Sequence, residues 1–167
     1  LGKVLGFTTR IINPERLLDK FTGKEGLFQN SPFDDRTRLI ISKSKTPLGI
    51  LIDKELSVVK EVFVPIFAKE DAFLIDYAQK LIYNSDSIIT VLDIDEQVKN
   101  NFTIENAIEN LEKNYPKNIS ILTENKMKAG FLAKQDLMMI SLESWKKLVD
   151  SQSVWLSTVP SVLIIKP

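Results

Sequence analysis

Apolar and polar positions change period several times along this chain, and the changes mark its elements. Val62 to Phe67 is a short apolar run of β-branched and aromatic residues bounded by polar ones. That is the pattern of a strand buried on both faces. Leu74, Ala78, Leu81 and Ile82 then recur at helical spacing with Asp76, Gln79 and Lys80 between them, so one stripe is apolar and the other face is wet. Ile88 to Leu92 is a second apolar strand. Strand, helix and strand over this length predict a βαβ unit, with parallel strands and a right-handed crossover.

The alternation continues to the end of the chain. Thr103 starts an amphipathic helix with Ile104, Ala107, Ile108, Leu111 and Tyr115 on one side, and Pro116 ends it. Asn118 to Leu122 reads as a strand. Glu124 to Lys134 reads as a weaker helix holding Met127, Phe131 and Leu132, interrupted by Gly130. Asp136 to Ile140 is a strand, and Ser141 caps a helix carrying Leu142, Trp145, Leu148 and Val149. Ser151 to Val159 is a loop around Trp155, and Val162 to Ile165 is the closing strand. The order βαβαβαβαβ from Val62 predicts a parallel, doubly wound α/β sheet with helices on both faces.

The region before Val62 is less regular. Leu1 to Ile12 carries Gly2 and Gly6 among apolar residues, and Asn13-Pro14 breaks it. Glu15 to Phe21 has the spacing of a short helix, and Thr22 to Asn30 is a glycine-bearing loop; the whole stretch is expected to be a surface excursion. Ser31-Pro32-Phe33-Asp34 is a helix start, with a capping serine, a proline at the first position, and Asp34 and Asp35 at the positive end of the dipole. Phe33, Thr37, Ile40 and Ile41 are expected to share its inner face. The acidic pair could bind a metal, but helix-start chemistry explains it fully. Pro47 to Asp53 is a strand, with proline tolerated at its first residue.

Composition narrows the function classes. The 167 residues are 44% hydrophobic and 26% charged, enough for a sizeable core in one domain or little more. Lys plus Arg and Asp plus Glu are 22 each, so no net charge argues for nucleic acid or an anionic membrane surface. There is no Cys and no His. That excludes disulfides, thiolate nucleophiles, Cys or His zinc sites and Ser-His-Asp triads, and removes the commonest general base. No apolar run approaches the roughly 20 residues that span a bilayer. A chain opening at Leu1, without methionine and in mid-pattern, is expected to be part of something longer.

One internal echo organises the functional argument. A helix followed by Pro47-Leu-Gly-Ile-Leu-Ile is answered by a helix followed by Pro160-Ser-Val-Leu-Ile-Ile. A unit opening with Val62-Phe-Val-Pro and closing with the second of these strands resembles the universal stress protein fold, over Glu61 to Pro167. Leu1 to Asp53 resembles the tail of a preceding, truncated copy. The resemblance implies a division into residues 1–57, a partial first module with its linker, and 58–167, a second stress-protein-like, Rossmann-like module. The partial module is expected to add one antiparallel edge strand, Pro47 to Asp53, beside Val162 to Ile165. Residues 1–30 are then expected to be mobile or to dock on another chain.

The joint from Phe33 to Lys54, followed by Lys60-Glu-Val-Phe-Val-Pro-Ile-Phe, resembles the cytosolic tail of monovalent cation/proton antiporters of the second cation:proton antiporter family. The resemblance implies a non-catalytic regulatory or structural domain on the cytoplasmic side of a membrane. Its partner would be the transport domain of the same polypeptide, with a homodimer left open and nucleic acid excluded. Departures from the nucleotide-binding pattern bear on mechanism. Ile66 and Phe67 stand where those members carry an acid after Val-Pro. Ser141-Leu-Glu-Ser144 stands where they carry Gly-x-x-Gly, and no glycine follows Gly130. Side chains there block the close backbone approach of a phosphate cradle, and Glu143 would repel a triphosphate. The expectation is therefore no catalytic, cofactor-binding or metal residue, and no cofactor. The alternatives are a free-standing nucleotide-sensing stress protein and a small enzyme using Asp93, Asp95 and Ser141 at the carboxyl ends of the strands. Asp93 and Asp95 are more simply a polar strand end, and Trp145 and Trp155 more simply packing.

Overall fold

A computed structural model describes residues 8–12, 35–123, 130–151 and 153–167. Its strands are β1 (Thr8–Ile12), β2 (Leu48–Ile52), β3 (Glu61–Ile66), β4 (Ile88–Asp93), β5 (Ile119–Thr123), β6 (Leu137–Ser141) and β7 (Ser161–Lys166). Its helices are α1 (Asp35–Lys43), α2 (Phe73–Ser85), α3 (Phe102–Asn114) and α4 (Leu142–Asp150). One sheet runs β1-β2-β7-β6-β3-β4-β5. All neighbours are parallel except β2 and β7. The fold is thus the expected mostly parallel α/β sheet, made of two parallel blocks that meet antiparallel.

Side-chain alternation builds the two layers. Val62, Val64 and Ile66 of β3 face one way and pack with Leu74, Ala78 and Leu81 of α2 and Ile104, Ile108 and Leu111 of α3. Phe63 faces the other way, with Met138, Ile140, Ile164, and Leu142, Trp145 and Leu148 of α4. Because strands buried on both faces need apolar residues at every position, these segments read as unbroken apolar runs. Local caps agree with the sequence. The Asn101 side chain accepts from Thr103 N at 3.0 Å to open α3, and Ser141 Oγ accepts from Ser144 N at 3.1 Å to open α4.

The antiparallel joint pairs Leu48 with Lys166, Ile50 with Ile164 and Ile52 with Val162. Two lysines clamp it from opposite ends. Lys54 Nζ donates to Val159 O at 2.8 Å, just before β7. Lys166 Nζ donates to Ile41 O at 2.8 Å and Ser44 O at 2.9 Å, the carbonyls at the end of α1. The second contact also suits a cation at a helix C-terminus. The proline echo is displaced in space. Leu48, after Pro47, faces the α4 layer, whereas Ser161, after Pro160, lies on the opposite face to Val162.

Several expectations need correction. Among the described residues two strands, not one, precede β3, and the antiparallel one is not the edge: β1 lies outside β2, parallel to it, with Thr8 opposite Leu48 and Ile12 opposite Ile52. Thr8-Thr-Arg-Ile-Ile is rich in β-branched residues, so the surface-excursion expectation fails there. Ile40 is 41% exposed and not inward; Thr37 is buried and Ile41 half-buried on a narrower inner face. The Glu124 to Lys134 helix does not run through Gly130, whose φ is +78, and Leu132–Lys134 is a short 3-10 turn. A second such turn, Val154–Ser157, interrupts the expected loop. In the loop after β4, Val98 is buried. Glu15 to Phe21, Ser31 to Asp34, and residues 124–129 of the weak helix lie outside the described residues.

Candidate functional site

Open α/β sheets place ligands at the carboxyl ends of their strands, where the strand order reverses. Here that point lies between β3 and β6. The β3–β6 ladder pairs Val62 with Leu137 and Phe63 with Met138 and goes no further, while β3 stays paired to β4 as far as Ile66. Pro65, which has no N–H to donate, sits just past the end of that ladder. The two strands therefore part, and a crevice is built into the sheet.

The crevice is filled from within. Asp71, in the 3-10 turn Lys69–Ala72 that follows β3, is 2% exposed. Its Oδ2 accepts from Phe67 N at 2.9 Å and Ala68 N at 3.1 Å. Ser144 Oγ, in the first turn of α4, donates to the same carboxylate at 2.9 Å and 3.1 Å. Beside this link Trp155 lies 5.8 Å from the ring of Phe67 and 6.0 Å from that of Phe63, and Phe131 meets Phe63 edge-on at 5.4 Å. Aromatic packing of this kind stabilises beyond area burial alone. The crevice thus has a polar bridge and an aromatic flank.

The residues singled out from the sequence are not brought together. Asp93 is buried at the end of β4, and its Oδ1 accepts from Val98 N at 2.8 Å, which holds the turn before α3. Asp95 is exposed, with φ of 52. Ser141 is committed as the cap of α4. Asp34 lies outside the described residues, and of Asp35 only its place at the start of α1 is described. Glu143 faces solvent and pairs with Lys146 at 2.8 Å. Trp145 is core, and among the described residues its indole N–H has no acceptor. No group of three or more acidic side chains among the described residues could hold a metal ion.

Sequence reasoning missed Asp71 and the hydroxyl of Ser144. The local signal was available: an acid three residues after Ala68 can close back on the Ala68 amide as capping residues do. The contact with Ser144 spans 73 positions and had no local signal.

Fold and crevice define a class by architecture alone: an α/β module with a universal-stress-protein-like fold, with seven strands among the described residues and a self-filled switch point. No family model and no curated protein matches the sequence. Among solved structures the chain is similar to a universal stress protein from Archaeoglobus fulgidus DSM 4304, with a TM-score of 0.59 and 13% identity, over 95% of this chain and 60% of that one. It is also similar to the cytoplasmic domain of a prokaryotic cation chloride cotransporter, with a TM-score of 0.54 and 15% identity, over 95% of this chain and 63% of that one. At these identities the likeness is one of fold. The chain spans 60% and 63% of the lengths of these two proteins. No helix among the described residues is long and apolar enough to cross a membrane.

Proposed function

We propose that this chain is a non-catalytic regulatory or structural cytosolic domain of a monovalent cation/proton antiporter of the second cation:proton antiporter family. It comprises the end of one stress-protein-like module (residues 1–57) and a second such module (58–167). The observation that carries this is the antiparallel β2–β7 joint between two parallel blocks. A single stress-protein-like module needs only the five strands β3 to β7, so β1 and β2 make sense as the last two strands of another. The likeness to a cotransporter's cytoplasmic domain supports a transporter setting. The filled crevice supports a role without nucleotide. In this reading the partner is the transport domain of the same polypeptide.

The coding sequence upstream of Leu1 tests it. About a dozen apolar segments of roughly 20 residues each are expected there; a short polar start would overturn the antiporter assignment. The second reading, a free-standing nucleotide-sensing stress protein, is favoured by the likeness to the archaeal protein. A melt with ATP separates the two.

A further inference from the structure

We propose that Asp71 acts as an internal anion. It permanently occupies a three-donor site at the switch point and locks the end of β3 to the start of α4 against outside ligands. The donors are the Phe67 and Ala68 amides and the Ser144 hydroxyl, at 2.9, 3.1 and 2.9 Å from Oδ2. All three are neutral. A carboxylate that is 2% exposed needs such donors, because a buried charge without them is strongly disfavoured.

Two features separate this from ordinary turn capping. The two amides are local, three and four residues from Asp71, but the hydroxyl comes from 73 positions away, on the other element flanking the crevice. Ser144 also has its own amide taken by Ser141 Oγ at 3.1 Å. Its hydroxyl is thereby held in the first turn of α4, where the helix dipole favours negative charge. Donors from both walls of the crevice therefore converge on one carboxylate. An outside phosphate or carboxylate would have to displace a group covalently held in place, which is disfavoured by the high effective concentration of the tethered group. The inference stands apart from the antiporter assignment and is tested without it.

The experiment removes the internal anion and offers a free one. Wild-type chain, Asp71→Ala, Asp71→Gly and Ser144→Ala are melted in sodium chloride, sodium formate or sodium acetate at equal ionic strength. The near-ultraviolet signal of Trp145 and Trp155 follows the tertiary structure. Asp71→Ala is expected to melt lower than wild type in chloride. Formate, which replaces the lost carboxyl group, should raise its melting temperature by about 2–4 °C over chloride, the shift worth roughly 1 kcal/mol in a chain this size. Asp71→Gly should respond in the same way to acetate. Wild type and Ser144→Ala, where the carboxylate still fills the site, should not respond. If Asp71→Ala is unfolded in chloride, the expected result is recovery of the tertiary signal on adding formate, and no recovery overturns the proposal. A response in wild type or Ser144→Ala as large as in the Asp71 variants would also overturn it, because the anion would then bind elsewhere.

Discussion

Single residues report first on the core and on charge. Leu111 is 3% exposed and faces the sheet with Ile104 and Ile108. Leu111→Ala is expected to cost about 2–5 kcal/mol in a urea unfolding measurement, from lost burial plus the cavity left behind. A loss below about 0.5 kcal/mol would be the behaviour of a surface site. Asp86 ends α2 in a left-handed conformation, with φ of 49. Lys60 Nζ and Asn118 Nδ2 each donate to its carboxylate at 2.9 Å. The Lys60 hydrogen bond, then that of Asn118, then the Lys60 charge hold this carboxyl below its usual 3.8. A carboxyl with a depressed folded pKa contributes stability above its unfolded value and loses it as pH falls through the folded one. Asp86→Asn tolerates the left-handed backbone but has no such charge. Its deficit relative to wild type should therefore be present at neutral pH and shrink as pH falls below the usual 3.8 and through the depressed folded value, read as urea midpoints. Because Asp86 is fully solvent-exposed, the effect is small and weakens with salt. A deficit that stays constant across that range would contradict it.

Among elements, the amphipathic helices were legible because one helix face repeats every few residues and needs no partner to be recognised. α2, α3 and α4 bury most of the residues the spacing selects, with Ala107, Tyr115 and Val149 only half-buried. α1 was harder, since among its described side chains only Thr37 and Ile41 are drawn inward and Ile40 is not. Its anchorage comes from outside the helix. Lys166 Nζ holds the carbonyls of Ile41 and Ser44. Lys166→Ala is expected to cost about 1.5–3 kcal/mol, the range for hydrogen bonds to a charged group. Its effect should be local, with faster amide exchange along Asp35–Lys43 and unchanged protection in α2 and α3. Uniformly faster exchange would mean that the lysine supports the whole fold rather than this joint.

For the whole molecule, the two parallel blocks and the closed crevice lead to one ligand prediction. ATP at millimolar concentration should leave the melting temperature unchanged. A ligand at 100 times its dissociation constant would add about 2.7 kcal/mol, a shift easily seen in a chain this size. The basis is threefold: Asp71 and Ser144 bridge the crevice, Phe67 and Trp155 pack beside it, and Ser141 and Ser144 stand where the stress-protein resemblance puts the glycines of a phosphate cradle. A clear rise would overturn the closed crevice and favour the nucleotide-sensing reading.

The sequence by itself determined the α/β class and most element positions, while the antiparallel partner of Leu48 to Ile52 was reached only through the resemblance of the Pro47 and Pro160 segments to the last strands of stress-protein modules. Periodicity and proline and glycine punctuation are local, and a residue's neighbours in the chain are enough to read them. The tertiary structure alone decided that Thr8 to Ile12 joins the sheet outside β2, and that Lys54 and Lys166 clamp the joint. It alone decided that Asp71 meets Ser144 in the space where Pro65 parts the strands. These depend on which distant segments come together. A strand of five residues or a single aspartate carries no mark of its partner until the core around it is packed.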